Sequence, residues 1–129
     1  MAEVTNTPSL FAEDTICTEL RATTKDEAIK EMIDLLYDAG VVTDKAVFTQ
    51  VIYDREALSS TGMGMGFAIP HGRSEVVTGP RVAVGLSKNG LDFNAPDGTL
   101  ANMVFMIAIS SKENNLHLKI LAALSRKLM

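Results

Sequence analysis

Apolar positions along this chain recur with a helical period first and a strand period later. From residue 24 onward Ala28, Ile29, Met32, Ile33, Leu36 and Ala39 fall three and four apart, on one face of a helix. Thr24-Lys25-Asp26-Glu27 ahead of them reads as a capping box, with Thr24 as N-cap and Glu27 reaching back. Gly40 is placed to end this helix in a left-handed conformation. Thr43 or Asp44 then caps a second helix, with Val47, Phe48, Val51 and Ile52 inward. That helix ends near residues 54–58, so Arg55 emerges where helix gives way to loop.

The second half reads mostly as strands. Phe67-Ala68-Ile69 predicts a buried strand or its edge, stopped by Pro70. Val82 to Leu86 predicts another, and Asn89-Gly90 and Pro96-Asp97-Gly98 are turn signals. Met103 to Ile109 is a near-continuous apolar run, suited to the middle of a sheet covered on both faces. A last helix starts at Asn114 or Asn115 and carries His117, Leu121, Leu124 and Leu128 on one face. Upstream, Thr15 to Leu20 reads as a short strand and the first dozen residues as a loose lead-in. Helices on both sides of the strands favour a layered α/β domain over a bundle.

Composition narrows the classes. A chain of 129 residues predicts one domain, and 47% hydrophobic with 22% charged residues suits a folded core. The net charge of −4, with acids and bases mixed along the chain, argues against nucleic-acid binding, which needs a basic patch. The chain shows no apolar run of transmembrane length and no secretory leader, so no membrane insertion is expected. Cys17 stands alone, cannot close an internal disulfide, and reads as a small strand residue. The default compartment is a reducing cytoplasm.

Chemistry concentrates between Arg55 and Arg73. His71 is one of only two histidines, set between Pro70 and Gly72, with Gly62, Gly64 and Gly66 alternating just before it. Imidazole can give or take a group at neutral pH, and glycines let backbone amides converge on an anion. Together they suggest a histidine that carries a phosphoryl group. Taken alone the loop is weak: Gly-x-Gly-x-Gly is neither the dinucleotide fingerprint nor a P-loop, and a tight turn explains it equally well.

The other candidates carry alternatives. His117 is either a core histidine on an apolar helix face or a donor to a phosphoryl group on His71, aided by the positive end of its helix. Arg55 can hold phosphate by a bidentate fork, whereas Arg73 reads better as a solvated surface charge. Thr61 can donate its hydroxyl to phosphate or cap the turn, and Glu56 can orient Arg55 or end the helix. Met63 and Met65 are either core or an adaptable apolar rim for a docking protein. No Cys/His/carboxylate cluster has metal-ligand spacing.

The run from Arg55 to Arg73, with its Arg-Glu, Ser-Thr-Gly and Ala-Ile-Pro-His-Gly elements in order, resembles enzyme IIA of the fructose/mannitol class (type 2) in the bacterial phosphoenolpyruvate-dependent sugar phosphotransferase system. The resemblance extends to the capped helix at Thr24, the Asp97-Gly98 turn and Leu116-His117-Leu118, covering roughly residue 10 to the end. It implies a three-layer α/β/α sandwich around a small mixed sheet, a fold also found in cytoplasmic domains of anion transporters. It implies that His71 takes phosphate on Nε2 from the phosphocarrier HPr and passes it to a cysteine of an enzyme IIB domain, without metal or nucleotide. His117 matches the second active-site histidine and Arg55 the nearby arginine. Nitrogen-regulatory enzyme IIA proteins share this signature and act by phosphorylation-dependent binding. Two departures stand out: the family continues for another helical stretch beyond Met129, so a C-terminally truncated domain is expected, and Ser110-Ser111 replaces a Pro-containing turn.

Overall fold

The computed structural model describes residues 10–113 and 115–128. A 3-10 turn at Glu13–Thr15 leads into β1 (Ile16–Cys17), then α1 (Lys25–Asp38) and α2 (Lys45–Leu58). Three short strands follow: β2 (Gly62–Gly64), β3 (Phe67–Ala68) and β4 (His71–Ser74). Two long strands, β5 (Arg81–Leu91) and β6 (Ala101–Ser110), precede α3 (Leu116–Leu128).

The sheet is mixed, in the order β1-β5-β6-β3-β2, with β4 also on β6. β5 and β6 are antiparallel, β1 runs parallel to β5, and both β3 and β4 run parallel to β6. β3 and β4 are two pieces of one path along the edge of β6, broken at Ile69-Pro70. Pro70 has no N–H to give, but its carbonyl still accepts from Ile107 N at 3.0 Å, which holds the break on the sheet.

Apolar side chains cover both faces. On one, Ile29, Met32, Leu36, Phe48 and Ile52 from α1 and α2 pack on Ala83, Val104, Met106 and Ala108. On the other, Ile120, Leu116, Leu121 and Leu124 of α3 pack with Phe67, Ile69, Val82, Ile107 and Ile109. Three layers result, α/β/α. Met106, Ile107, Ala108 and Ile109 are fully buried, as a strand covered on both sides should be.

The helix caps hold with one shift of detail. Thr24 Oγ1 accepts from Glu27 N at 3.2 Å, but Glu27 reaches back to Thr23 N at 2.9 Å rather than to Thr24. Asp44, not Thr43, caps α2, accepting from Val47 N at 3.1 Å. Gly40 has φ +79, as expected. Val47 departs from the expected inward face and is 41% exposed, one position ahead of the buried Phe48. The strand expected over Thr15 to Leu20 shrinks to two residues, and β5 runs on through the Asn89-Gly90 signal. There Gly90 has φ +82 and the pairing with β6 shifts between Leu86 and Leu91, so the turn residues make an irregularity inside a strand. Leu10, expected in a loose lead-in, is 2% exposed. The rest of that lead-in, through residue 9, lies outside the described residues, as do Asn114 and the Leu128 side chain.

Candidate active site

His71 opens β4, paired in register with Ile107. Its Nδ1 lies 2.9 Å from the carbonyl oxygen of Ile69. A carbonyl only accepts, so the proton is assigned to Nδ1. Arg55 Nε–H donates to His71 Nε2 at 3.1 Å, which leaves the lone pair on Nε2. Two partners from different elements therefore select one tautomer. Arg55 sits in the last turn of α2, and its Nη1 donates to Ser59 O at 2.8 Å, fixing the guanidinium at the helix end.

A pocket of about 330 Å³ opens here. It is lined by Arg55 from α2, by Ser60, Thr61, Met63, Ile69 and His71 from the segment that follows, and by Leu121, Ala122 and Ser125 of α3. His117, in the first turn of α3, lies nearly parallel to His71, at 25°, with ring centroids 6.3 Å apart. Its Nδ1 is buried without a hydrogen-bond partner among the described residues.

Both imidazoles are held below their ordinary pKa. For His71 burial is the main cause; the Arg55 guanidinium and the His117 ring add to it, while the Ile69 carbonyl and Glu56 oppose it. For His117 burial comes first and the charge of Arg73 second. Both rings are neutral at neutral pH, the state in which a lone pair is free to attack.

The four glycines expected to cradle an anion have other duties. Gly62 and Gly64 form β2, joined to β3 by a two-residue hairpin whose central residues, Met65 (φ 57) and Gly66 (φ 91), both have positive φ, as a primed turn requires. A side chain on Gly64 would meet the Asp97 carboxylate, whose Oδ2 accepts from Met65 N at 3.0 Å. The amide of Gly62 is spent on Ser60 Oγ, at 3.0 Å. Gly72 is the point where α2 rests on β4: a Cβ there would lie 2.9 Å from Val51 Cγ1. The glycines shape the hairpin and its packing, and none of them lines the pocket.

Thr61 is 2% exposed, and its hydroxyl donates to Glu56, so that proton is not free for a phosphate. Glu56 does not touch Arg55; its carboxylate takes Thr61 and the Lys25 ammonium, the latter at 2.9 Å. Arg73 is exposed but not loose: Nη2 donates to Ser111 O at 2.7 Å, tying β4 to the turn before α3. Met63 and Met65 are 43% and 59% exposed rather than in the core, and of the two only Met63 lines the pocket. Among the described residues no group of three His, Cys, Asp or Glu is placed to hold a metal ion.

The family profile described as "Phosphoenolpyruvate-dependent sugar phosphotransferase system, EIIA 2" matches residues 9–129. The chain belongs to this family. Its members are phosphoryl carriers of the sugar phosphotransferase system, and this EIIA is a phosphotransferase component. It is 41% identical over 93% of its length to the fructose-specific EIIABC component of Bacillus subtilis, of which it spans only 19%. It is 38% identical over 98% of its length to the fructose-specific EIIA component of Haloferax volcanii, covering 82% of that protein. Among solved structures, the nitrogen regulatory protein IIA-Ntr of Neisseria meningitidis superposes with a TM-score of 0.83 at 28% identity, over 92% of this chain and 80% of that one. Enzyme IIA of the mannitol system of Escherichia coli, solved in complex with phosphorylated enzyme IIB, gives 0.77 at 27% identity, over 92% and 83%. No helix among the described residues is long and apolar enough to cross a membrane.

Sequence reasoning about this EIIA did not place four residues in the site, although it had read one of them, Leu121, onto the helix face of His117. The Ile69 carbonyl orients His71, yet a backbone oxygen has no residue signature. Ser60 caps the loop, and Leu121 with Ser125 lines the pocket one and two turns beyond His117. The spacing of those α3 residues from His117 was the available signal.

Proposed function

We propose that this EIIA accepts a phosphoryl group from phospho-HPr on Nε2 of His71 and passes it to a cysteine of an enzyme IIB domain, in the cytoplasm, for coupled sugar uptake. The observation that carries this reading is the doubly anchored ring, with Nδ1–H on Ile69 O and the Nε2 lone pair facing Arg55. The Nε2 lone pair forms a bond to phosphorus while the donor keeps the electron pair of the bond that breaks. The Nδ1 proton stays in place, and the Ile69 carbonyl stabilises the positive charge the ring gains. Arg55 moves from the lone pair onto a phosphoryl oxygen, a step of a few ångströms for a side chain already held at Ser59. His117 offers an N–H to the same group, at the positive end of α3. Such a transfer is loose and in line, catalysed by placement and charge. Met63 and Met65 form the apolar rim on which the partner excludes water. The relative solved with phosphorylated enzyme IIB supports the acceptor partner, and the fructose-specific relatives support a sugar-uptake role.

Incubation with phosphoenolpyruvate, enzyme I and HPr tests the reading: the wild type takes label and a His71→Ala protein takes none. A second reading, favoured by the likeness to the nitrogen regulatory protein, keeps phospho-His71 but replaces sugar transfer with phosphorylation-dependent target binding. Loss of label to a purified enzyme IIB domain supports transport; retention of label supports regulation.

A further inference from the structure

We propose that Glu56 is a positioning residue that sets the tautomer of His71 through Thr61 and Ile69. Its catalytic meaning rests on His71 being the phosphoryl acceptor, as proposed above. Glu56 follows Arg55 at the end of α2, but its side chain turns inward and is only 5% exposed. A buried carboxylate is costly unless paired and hydrogen-bonded. Here Oε2 takes the Lys25 ammonium at 2.9 Å and Thr61 N–H at 3.3 Å, and Oε1 takes the Thr61 hydroxyl. One carboxylate thus joins α1, the end of α2 and the loop that starts β2.

From Thr61 the connection continues in backbone. Thr61 O accepts from Ile69 N at 3.0 Å, and Ile69 O accepts from His71 Nδ1 at 2.9 Å. Between them Pro70 has no amide, and its carbonyl is taken by Ile107 N. The peptide that carries the Ile69 carbonyl is therefore held from one side by β6 and from the other by Thr61. Releasing Thr61 frees the Ile69 amide, lets that carbonyl turn, and removes the acceptor that keeps the proton on Nδ1. The same turn carries Ser59, whose carbonyl holds Arg55. Glu56 acts on both nitrogens of the ring without touching it.

Long-range 1H–15N correlation on protein labelled in histidine, without phosphate, reads the tautomer directly above the pKa of the ring. The wild type should show protonated Nδ1 and unprotonated Nε2. Glu56→Gln and Thr61→Val should each move the tautomer ratio by about fivefold, the worth of one ordinary hydrogen bond. Thr61→Ser, which keeps the hydroxyl, should restore the wild-type shifts. The double variant should go no further than the stronger single one, because both cut the same path. Phosphoryl acceptance from phospho-HPr should fall in step with the lost Nδ1–H population, with KM unchanged. Should Glu56→Gln fail to fold, Thr61→Val, which keeps size and shape, decides alone. Wild-type His71 shifts in a folded Thr61→Val protein would overturn the proposal. Undiminished labelling of His71→Ala would instead remove the catalytic meaning and leave the tautomer result standing, so the two failures are distinct.

Discussion

Arg55 stands on the lone pair of His71: its Nε–H donates to Nε2 at 3.1 Å, across from the Ile69 carbonyl that holds Nδ1. At rest, the group proposed to steady a phosphate also covers the atom proposed to receive it. The contact keeps Nε2 unprotonated and lowers the affinity of the ring for a proton, after the larger effect of burial.

Removing that guanidinium should therefore do two things. Arg55→Ala should raise the pKa of His71 in the free protein, seen by NMR titration of the ring. It should also slow phosphoryl acceptance by about 100-fold, the usual cost of losing one charged donor to a developing anion. Arg55→Lys should recover the titration shift but little of the rate, because a single compact ammonium lacks the planar fork whose separate nitrogens hold the ring nitrogen and the Ser59 carbonyl.

The depressed imidazoles fix the direction of pH dependence. An unfolded histidine titrates near 6.5, and both His71 and His117 titrate lower in the folded chain. Between the folded value and about 6.5 the unfolded state binds more protons, so stability rises with pH there. The contribution is complete above about 6.5 and is lost as pH falls through the folded values. Denaturant midpoints from pH 8 down to 5 should decline below about 6.5, and by less in a His71→Gln, His117→Gln double variant.

Gly72→Ala is expected to destabilise without touching the chemistry. The new Cβ would lie 2.9 Å from Val51 Cγ1 and 3.2 Å from Ile52 Cδ1 and Phe48 Cε1, in the seam between β4 and α2. A methyl forced into packed surroundings costs about 1–3 kcal/mol, read as a lower urea midpoint at unchanged slope.

The helical half of the molecule was legible because caps and periodicity agree: Thr24, Asp44 and Gly40 punctuate two amphipathic helices as their chemistry requires. β2 and β4 were not. Gly-Met-Gly and His-Gly-Arg-Ser carry no strand propensity and no alternating apolar face. Their pairing comes from the primed hairpin at Met65-Gly66 and from the free edge of β6, which a local pattern cannot express. In the site, the clustering of His71, Arg55 and His117 was readable. The work of the glycines was not, since a glycine for an anion and a glycine for a close-packed Val51 look alike in sequence. Nor was the work of Glu56, whose partner Lys25 lies in another helix.

Met63 lines the pocket and is 43% exposed, so it should act in docking rather than in the chemical step. Met63→Ser is expected to raise the KM for phospho-HPr by about fivefold, as loss of one modest apolar contact does. The rate at saturation should stay unchanged in a steady-state transfer assay.

The central claim is a bond between phosphorus and one particular nitrogen. NMR of the protein phosphorylated through enzyme I and HPr, with 15N-labelled histidine, reads the 15N–31P coupling directly. Coupling at Nε2 of His71, with Nδ1 still protonated at low pH and Arg55 shifted, is the predicted result. Coupling at Nδ1, at His117, or at no histidine would contradict the account.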